Sequence, residues 1–228
     1  MMVKEKLVIK FLGTSSVEAI PREDCDCAQC HSKDKQDKRL RSSILINKKI
    51  LIDASPDILE QLKPSQIFNL DTLIITHEHE DHVGGLKHVL RANRNIRIIR
   101  ITPGQHFKLF GIEFYAFKVP HSKVLPTVGL SIDDFVYIPD LALLDSAMKY
   151  LTDAKFAILD GSSLGRSFGG HLSLNEIIST VKPLKNLEKI YFTHNGHTRR
   201  THKDMSTLVQ QLGDKRFFVA YDGLELKA

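Results

Sequence analysis

The chain has little of what marks a secreted, membrane-spanning or modular protein. Only three cysteines occur in 228 residues, all between positions 25 and 30. An odd, clustered set excludes a disulfide framework and leaves metal binding or redox chemistry as their use. No apolar run approaches the length of a membrane span, and stretches such as Leu73-Ile74-Ile75 are far too short. Lys4, Lys6 and Lys10 interrupt the mildly apolar start and no small-residue cleavage site follows. No signal peptide is therefore expected, and the expected location is cytoplasmic. No linker, low-complexity tract or repeat divides the sequence, so residues 1–228 read as one domain with a cysteine-bearing loop at about 21–39.

What is present is an ordinary globular composition, 42% apolar and 26% charged, on a chain long enough to bury a core. Lys and Arg outnumber Asp and Glu by 32 to 27, partly through Arg91, Arg94, Arg97 and Arg100. Such a stretch can form a rim for RNA or a phosphorylated partner. A net charge of +5 supports that weakly, and a solvated helix end followed by a strand with outward arginines is the simpler reading. Histidine carries the stronger signal: most of the eleven fall into a few short motifs.

Hydrophobic patterning predicts strands over 6–12, 42–47, 49–53, 72–76, 96–102, 106–110, 112–119, 129–132 and 135–139. The second half alternates helices at 143–151, 174–182 and 202–212 with strands at 156–160, 190–193 and 217–220. A short helix is expected with Pro56 just inside it and Ser55 as its cap, and another helix from His82 to Arg91. Two strand-rich halves sharing one interior make a sheet-on-sheet sandwich with helices outside, an α/β fold.

The most specific motif is Thr76-His77-Glu78-His79-Glu80-Asp81-His82. On an extended segment His77 and His79 face the same way and Glu78 and Glu80 the other. After the turn, Asp81 and His82 return to the same cavity, with Gly84 and Gly85 permitting close packing. Three imidazoles and a carboxylate at the C-terminal end of a buried strand can serve two metals, and strand ends are where α/β proteins place their sites.

H-x-H-x-D-H after a strand resembles the metallo-β-lactamase superfamily, whose fold is an αββα four-layer sandwich. Later superfamily motifs have counterparts in order: Val119-Pro120-His121-Ser122, Tyr137-Ile138-Pro139-Asp140 and Tyr191-Phe192-Thr193-His194. The resemblance implies one metal at His77, His79 and His121, a second at Asp81, His82 and His194, and Asp140 bridging them. Nitrogen and oxygen ligands suit Zn²⁺, Mn²⁺ or Fe. The C-x-C-x₂-C loop, His121-Ser122-Lys123, Thr127 to Gly129 and His171-Leu172-Ser173-Leu174-Asn175 further resemble the PhnP-like phosphodiesterases. The chain departs from them at Ser15-Ser16, where they often have glycine, and in shorter connections.

The reaction this implies is hydrolysis of a small nucleotide or sugar phosphodiester, cyclic or open, by a hydroxide shared between two metals. Residual positive charge at such a site suits a singly charged diester. His171, just before a helix and after Gly169-Gly170, is the candidate to bind phosphate or act as general acid. Two other relatives remain as alternatives. One is ribonuclease Z, an RNA endonuclease, although its inserted tRNA-binding arm has no counterpart here. The other is a PqqB-like cofactor-biosynthesis or redox protein. A small phosphodiester is the expected partner, nucleic acid the second expectation and a membrane none, with a homodimer left open. Asp53 and Asp160 read as supporting residues, and Lys123 as a phosphate contact or an exposed lysine. His88, His106 and His202 carry no role.

Cys25, Cys27 and Cys30 want a fourth ligand for a structural zinc. His31 is adjacent to Cys30, and common zinc spacings leave at least one residue between ligands. His197 is the better candidate, with Gly196 allowing a sharp turn after His194; PhnP-like proteins place a histidine there. Redox-active thiols are the alternative.

Overall fold

The computed structural model describes residues 7–122 and 125–227. The chain opens with β1 (Val8–Gly13), then a long loop containing the helical turn α1 (Ala28–His31) and a 3-10 turn at Lys35–Asp37. β2 (Ser43–Ile46) and β3 (Ile50–Ile52) form a hairpin. Its turn residues Asn47 and Lys48 both adopt left-handed backbone (φ 47° and 59°), and the Lys49 N–H closes the turn on the Ile46 carbonyl at 3.0 Å. α2 (Ile58–Gln61), α3 (Pro64–Phe68), β4 (Thr72–Ile75), α4 (Glu80–Val83), α5 (Leu86–Ala92) and β5 (Arg97–Arg100) complete the first half.

The second half runs β6 (His106–Leu109), β7 (Ile112–Val119), β8 (Thr127–Ile132), β9 (Phe135–Ile138), α6 (Met148–Asp153), β10 (Phe156–Asp160) and α7 (Leu174–Val181). It ends with β11 (Lys189–Thr193), α8 (His202–Leu212), β12 (Phe217–Val219) and β13 (Glu225–Lys227). One six-stranded sheet has the order β13-β1-β2-β3-β4-β5, and a seven-stranded sheet the order β12-β11-β10-β9-β8-β7-β6.

Apolar side chains fill three layers. Ile9, Phe11, Ile44 and Ile52 of the first sheet meet Phe114, Leu130, Tyr137 and Ile158 of the second. Ile58, Leu62, Ile67 and Val89 cover the outer face of the first sheet. Leu151, Ile177, Val181, Met205 and Val209 cover the second. This is the αββα sandwich. β4 is buried on both faces, which explains its unbroken apolar run.

Several local expectations are corrected. Pro56 precedes α2 instead of sitting inside it; Asp57 stands before the helix without a capping side-chain bond. The helix expected from His82 to Arg91 is two short helices, α4 and α5. The break follows from packing: a Cβ on Gly85 would lie 2.1 Å from the Ser55 carbonyl oxygen, so the backbones touch there. α6 starts at Met148, five residues late, because 143–147 are irregular turns. β13, which pairs antiparallel with β1, was not expected. Arg97 and Arg100 point outward from β5, and Arg100 pairs with Glu78 at 2.8 Å. No helix among the described residues is long and apolar enough to cross a membrane.

Candidate active site

Five of the seven candidate ligands follow strand ends. His77 and His79 follow β4, His121 follows β7, Asp140 follows β9 and His194 follows β11, while Asp81 and His82 lie in α4. Extended backbone after β4 turns His77 and His79 the same way: His77 Nε2 lies 2.9 Å from His79 Nδ1, and His121 Nε2 is 3.3 Å from the same atom. The outer nitrogens of two rings are committed, His77 Nδ1–H to the Thr76 hydroxyl (3.1 Å) and His121 Nδ1–H to the Gly170 carbonyl (3.0 Å). Their inner nitrogens therefore carry lone pairs. Burial, reinforced by neighbouring His82, pushes His77 down to about 3 and keeps it neutral.

The second group is equally tight. Asp81 Oδ2 lies 3.1 Å from His194 Nε2 and 3.5 Å from His82 Nε2. Asp140 stands between the groups: Oδ1 is 3.6 Å from His121 Nε2 and 3.5 Å from His194 Nε2, and Oδ2 is 3.1 Å from His82 Nε2. Burial opposes charge on both Asp140 and His82. Even so, Asp140 is held well below the usual carboxylate range by His194 and His82, and Asp140 and Asp53 lift His82 well above its own. Burial also opposes charge on Asp81, and His194 and His82 hold its carboxyl low.

Do these residues fit metal ions? Among the described residues His82 Nε2 and Asp140 Oδ2 are buried without a hydrogen-bond partner and lie 3.1 Å from each other. Buried polar atoms are rarely left so. Converging lone pairs and carboxylates with orphaned inner atoms are the donor set of divalent cations. His77, His79 and His121 form one such group, and Asp81, His82 and His194 another.

Two buried aspartates hold the rings from behind, one from each half of the chain. Asp53 has left-handed backbone (φ 61°), a strained conformation of the kind found at functional sites. It accepts from His82 Nδ1 at 2.8 Å and from the Thr76 hydroxyl at 2.8 Å, and Thr76 in turn meets His77. Asp160 repeats the scheme. It accepts from His171 Nδ1 at 2.7 Å and from the Ser162 hydroxyl at 2.5 Å, and Ser162 accepts from His194 Nδ1 at 2.7 Å. Each carboxylate thus orients one imidazole directly and another through a hydroxyl, fixing the tautomers.

Ser162 and Thr76 were not anticipated from the sequence. The signal available for Ser162 was its spacing: two residues after Asp160, its N–H closes an Asx turn on Asp160 Oδ1 at 2.8 Å. His171 borders the cluster, with its Nδ1 4.0 Å from Asp140 Oδ1. Burial works against its protonation, but Asp160 raises its pKa overall. The Ser173–Glu176 capping box starts α7 immediately afterwards and fixes this position. The site opens into a cavity of about 520 Å³ lined by Ser16, Ser163, Phe168, His171 and the cluster residues His79, Asp81, His121, Asp140 and His194. Lys123 lies outside the described residues. His106 pairs with Glu113 on the surface, away from the cluster.

The cysteine loop forms a separate group. His197 Nε2 lies 3.5 Å from Cys25 Sγ, 3.2 Å from Cys27 Sγ and 3.4 Å from Cys30 Sγ. His31 instead faces Asp26 at 3.4 Å. Burial works against thiolate formation at Cys27, but the Cys30 N–H and His197 outweigh it and bring Cys27 down to about 6. Burial pushes Cys30 up to about 11. Gly196 does not make the turn that separates His194 from His197. His194 itself is left-handed (φ 53°), and Gly196 is required because a Cβ there would lie 2.1 Å from the Ser162 carbonyl oxygen.

Comparison with known proteins agrees with this fold. Residues 37–149 match the metallo-beta-lactamase superfamily. A structure described as a new diphosphatase from the PhnP family superposes with a TM-score of 0.84 at 26% identity, covering 98% of this chain and 97% of that one. Zn²⁺-bound PqqB from Methylobacterium extorquens shares the fold, with a TM-score of 0.77 at 19% identity over 97% of this chain and 100% of its own. An octanoyltransferase of Porphyromonas gingivalis is 25% identical over 94% of this chain, which spans about half the length of that protein.

Proposed function

We propose that this chain, which belongs to the metallo-β-lactamase superfamily and is a metal-dependent hydrolase, cleaves small phosphodiesters at a dinuclear centre. The observation that carries the reading is Asp140, whose two oxygens face imidazoles of both ligand groups. His77, His79 and His121 would hold one divalent ion and Asp81, His82 and His194 the other, with Asp140 shared. Two such ions lower the pKa of water toward ~7 and neutralise charge on phosphoryl oxygens.

The chain's own residues do the rest. Two carboxylates, Asp81 and Asp140, leave positive charge on a site holding two divalent ions, which favours an anionic diester over a neutral amide. Asp53 and Asp160 keep four of the imidazoles in fixed tautomers, so the ligand nitrogens need no reorganisation. His171, held by Asp160 at Nδ1, keeps Nε2 for the substrate and can deliver a proton to the departing alkoxide. Cys25, Cys27, Cys30 and His197 would hold a structural zinc with no part in the chemistry. Such a zinc would brace the N-terminal loop against the segment carrying His194.

Leaving groups provide the test. His171→Ala should slow hydrolysis of 2′,3′-cyclic AMP, whose alkoxide needs a proton, by ~10²–10⁴-fold. It should slow bis(p-nitrophenyl) phosphate, whose phenolate departs without one, much less. No diester hydrolysis by wild-type protein with zinc, manganese or iron would refute the reading.

A further inference from the structure

We infer that Phe168 is a platform for the base of a nucleotide substrate, so that this hydrolase prefers diesters carrying a nucleobase. The inference rests on reading the Asp140 centre as a phosphodiesterase. Phe168 and His171 are the paired ends of a two-glycine turn: each N–H donates to the other's carbonyl at 3.0 Å. Gly169 and Gly170 both have positive φ (60° and 87°), a turn few other residues could form. Directly paired residues project to the same face of a ladder, and both Phe168 and His171 line the cavity over the ligand cluster.

The phenyl ring is held in register with the reacting centre. Gly170 accepts from His121 Nδ1, and a Cβ at Gly170 would sit 2.5 Å from the His121 carbonyl oxygen. On the other side, the Ser167 hydroxyl bonds Glu176 at 2.5 Å and accepts from Ser173 N–H at 3.0 Å, tying the turn to the start of α7. The fold itself gains nothing from the phenyl: it is 73% exposed and belongs to none of the apolar clusters.

The rest of the lining says what the ring would meet. Val17, 64% exposed, is a second apolar group at the same cavity. Ser16 adds a hydroxyl suited to a sugar at the same cavity. Among the described lining residues there is no Lys or Arg, while Glu80, outside the ligand set, adds negative charge. These described residues favour an uncharged group beyond the reacting diester. An alkyl chain needs enclosure on all sides; a base needs one flat face and keeps its edges in water. A cavity of about 520 Å³ accommodates a nucleoside phosphate.

The test compares metal-replete wild type, Phe168→Ala and Phe168→Tyr on 2′,3′-cyclic AMP and on glycerol 1,2-cyclic phosphate, which has no base. The ratio of the two kcat/KM values should fall by roughly 5- to 150-fold in Phe168→Ala, the span of base–aromatic stacking, and return in Phe168→Tyr. An unchanged ratio, whether or not both activities fall, overturns the inference. Calorimetric binding of AMP and ribose 5-phosphate to the same proteins separates this from the hydrolase reading. AMP should bind wild type more tightly, and the difference should vanish in Phe168→Ala. Equal binding to wild type also overturns the platform. Failure of wild type to hydrolyse either ester counts against the phosphodiesterase instead.

Discussion

Replacing Asp160 by asparagine changes one atom and should disable both halves of the proposed chemistry. The carboxylate is fully buried and accepts four bonds: Leu141 N–H and His171 Nδ1–H at one oxygen, Ser162 N–H and its hydroxyl at the other. An amide presents one acceptor and one donor, so in either orientation two donors face an NH₂ group. Bonds to a buried charge contribute ~1.5–3 kcal/mol each, so on the order of 3 kcal/mol of stability should be lost. If the amide faces Ser162, the hydroxyl loosens and His194 loses its partner, which should cost ~10–100-fold in metal affinity or activity. If it faces His171, the proton donor is lost, at ~10²–10⁴-fold. Turnover of 2′,3′-cyclic AMP and bis(p-nitrophenyl) phosphate, with metal content measured by mass spectrometry, reads both arms. Ser162→Ala should reproduce the metal arm alone and His171→Ala the proton arm alone. Asp160→Asn with turnover and metal content both near wild type would refute the two-aspartate scheme.

Further outcomes follow from the same geometry. His197→Ala should release one zinc, keep the active-site ions and lower the melting temperature by about 10 °C, equivalent to ~3–5 kcal/mol in a chain of this length; retention of that zinc would point to another ligand. Gly196→Ala drives a methyl into the Ser162 carbonyl, and calorimetry should show at least ~1–3 kcal/mol of lost stability, together with weaker metal binding through displaced His194. His202 gives a pH dependence. Burial and then Arg39, which donates to its Nδ1 at 3.0 Å, push its pKa down to about 4, with Asp37 and Asp34 partly opposing. The unfolded chain takes up this proton near ~6.5, so stability should fall by about 1–3 kcal/mol as pH drops from there to ~4. His202→Gln should flatten that part of the stability–pH curve, and an identical curve would remove His202 as its source.

Much of the architecture was legible because it is written in local pattern. β4 is apolar on both faces and reads as a covered strand, and Asn47-Lys48 between apolar runs reads as a hairpin turn. β13 was missed because Glu225–Lys227 has no period of its own and is a strand only by pairing with β1. The α4–α5 break depends on Ser55, thirty residues away in sequence from Gly85, pressing against it. At the site, spacing brought His77, His79, Asp81 and His82 into view together. The Asp160–Ser162–His194 relay was hidden because it depends on sheet register. β10 and β11 pair in parallel with Asp160 opposite Thr193, so the two following loops leave the sheet side by side. The left-handed backbone of His194 leaves no trace in residue type, whereas Gly196 beside it drew the eye for the wrong reason.

A dinuclear centre fixes the metal stoichiometry of catalysis at two. Protein stripped of its loosely held ions should retain the cysteine-bound zinc and lack diester hydrolysis. Titration with Mn²⁺ or Zn²⁺ should restore turnover as two further equivalents bind, and Asp140→Ala should neither bind that pair normally nor recover. Full turnover at one added equivalent, or an Asp140→Ala protein that hydrolyses diesters like wild type, would contradict the dinuclear phosphodiesterase.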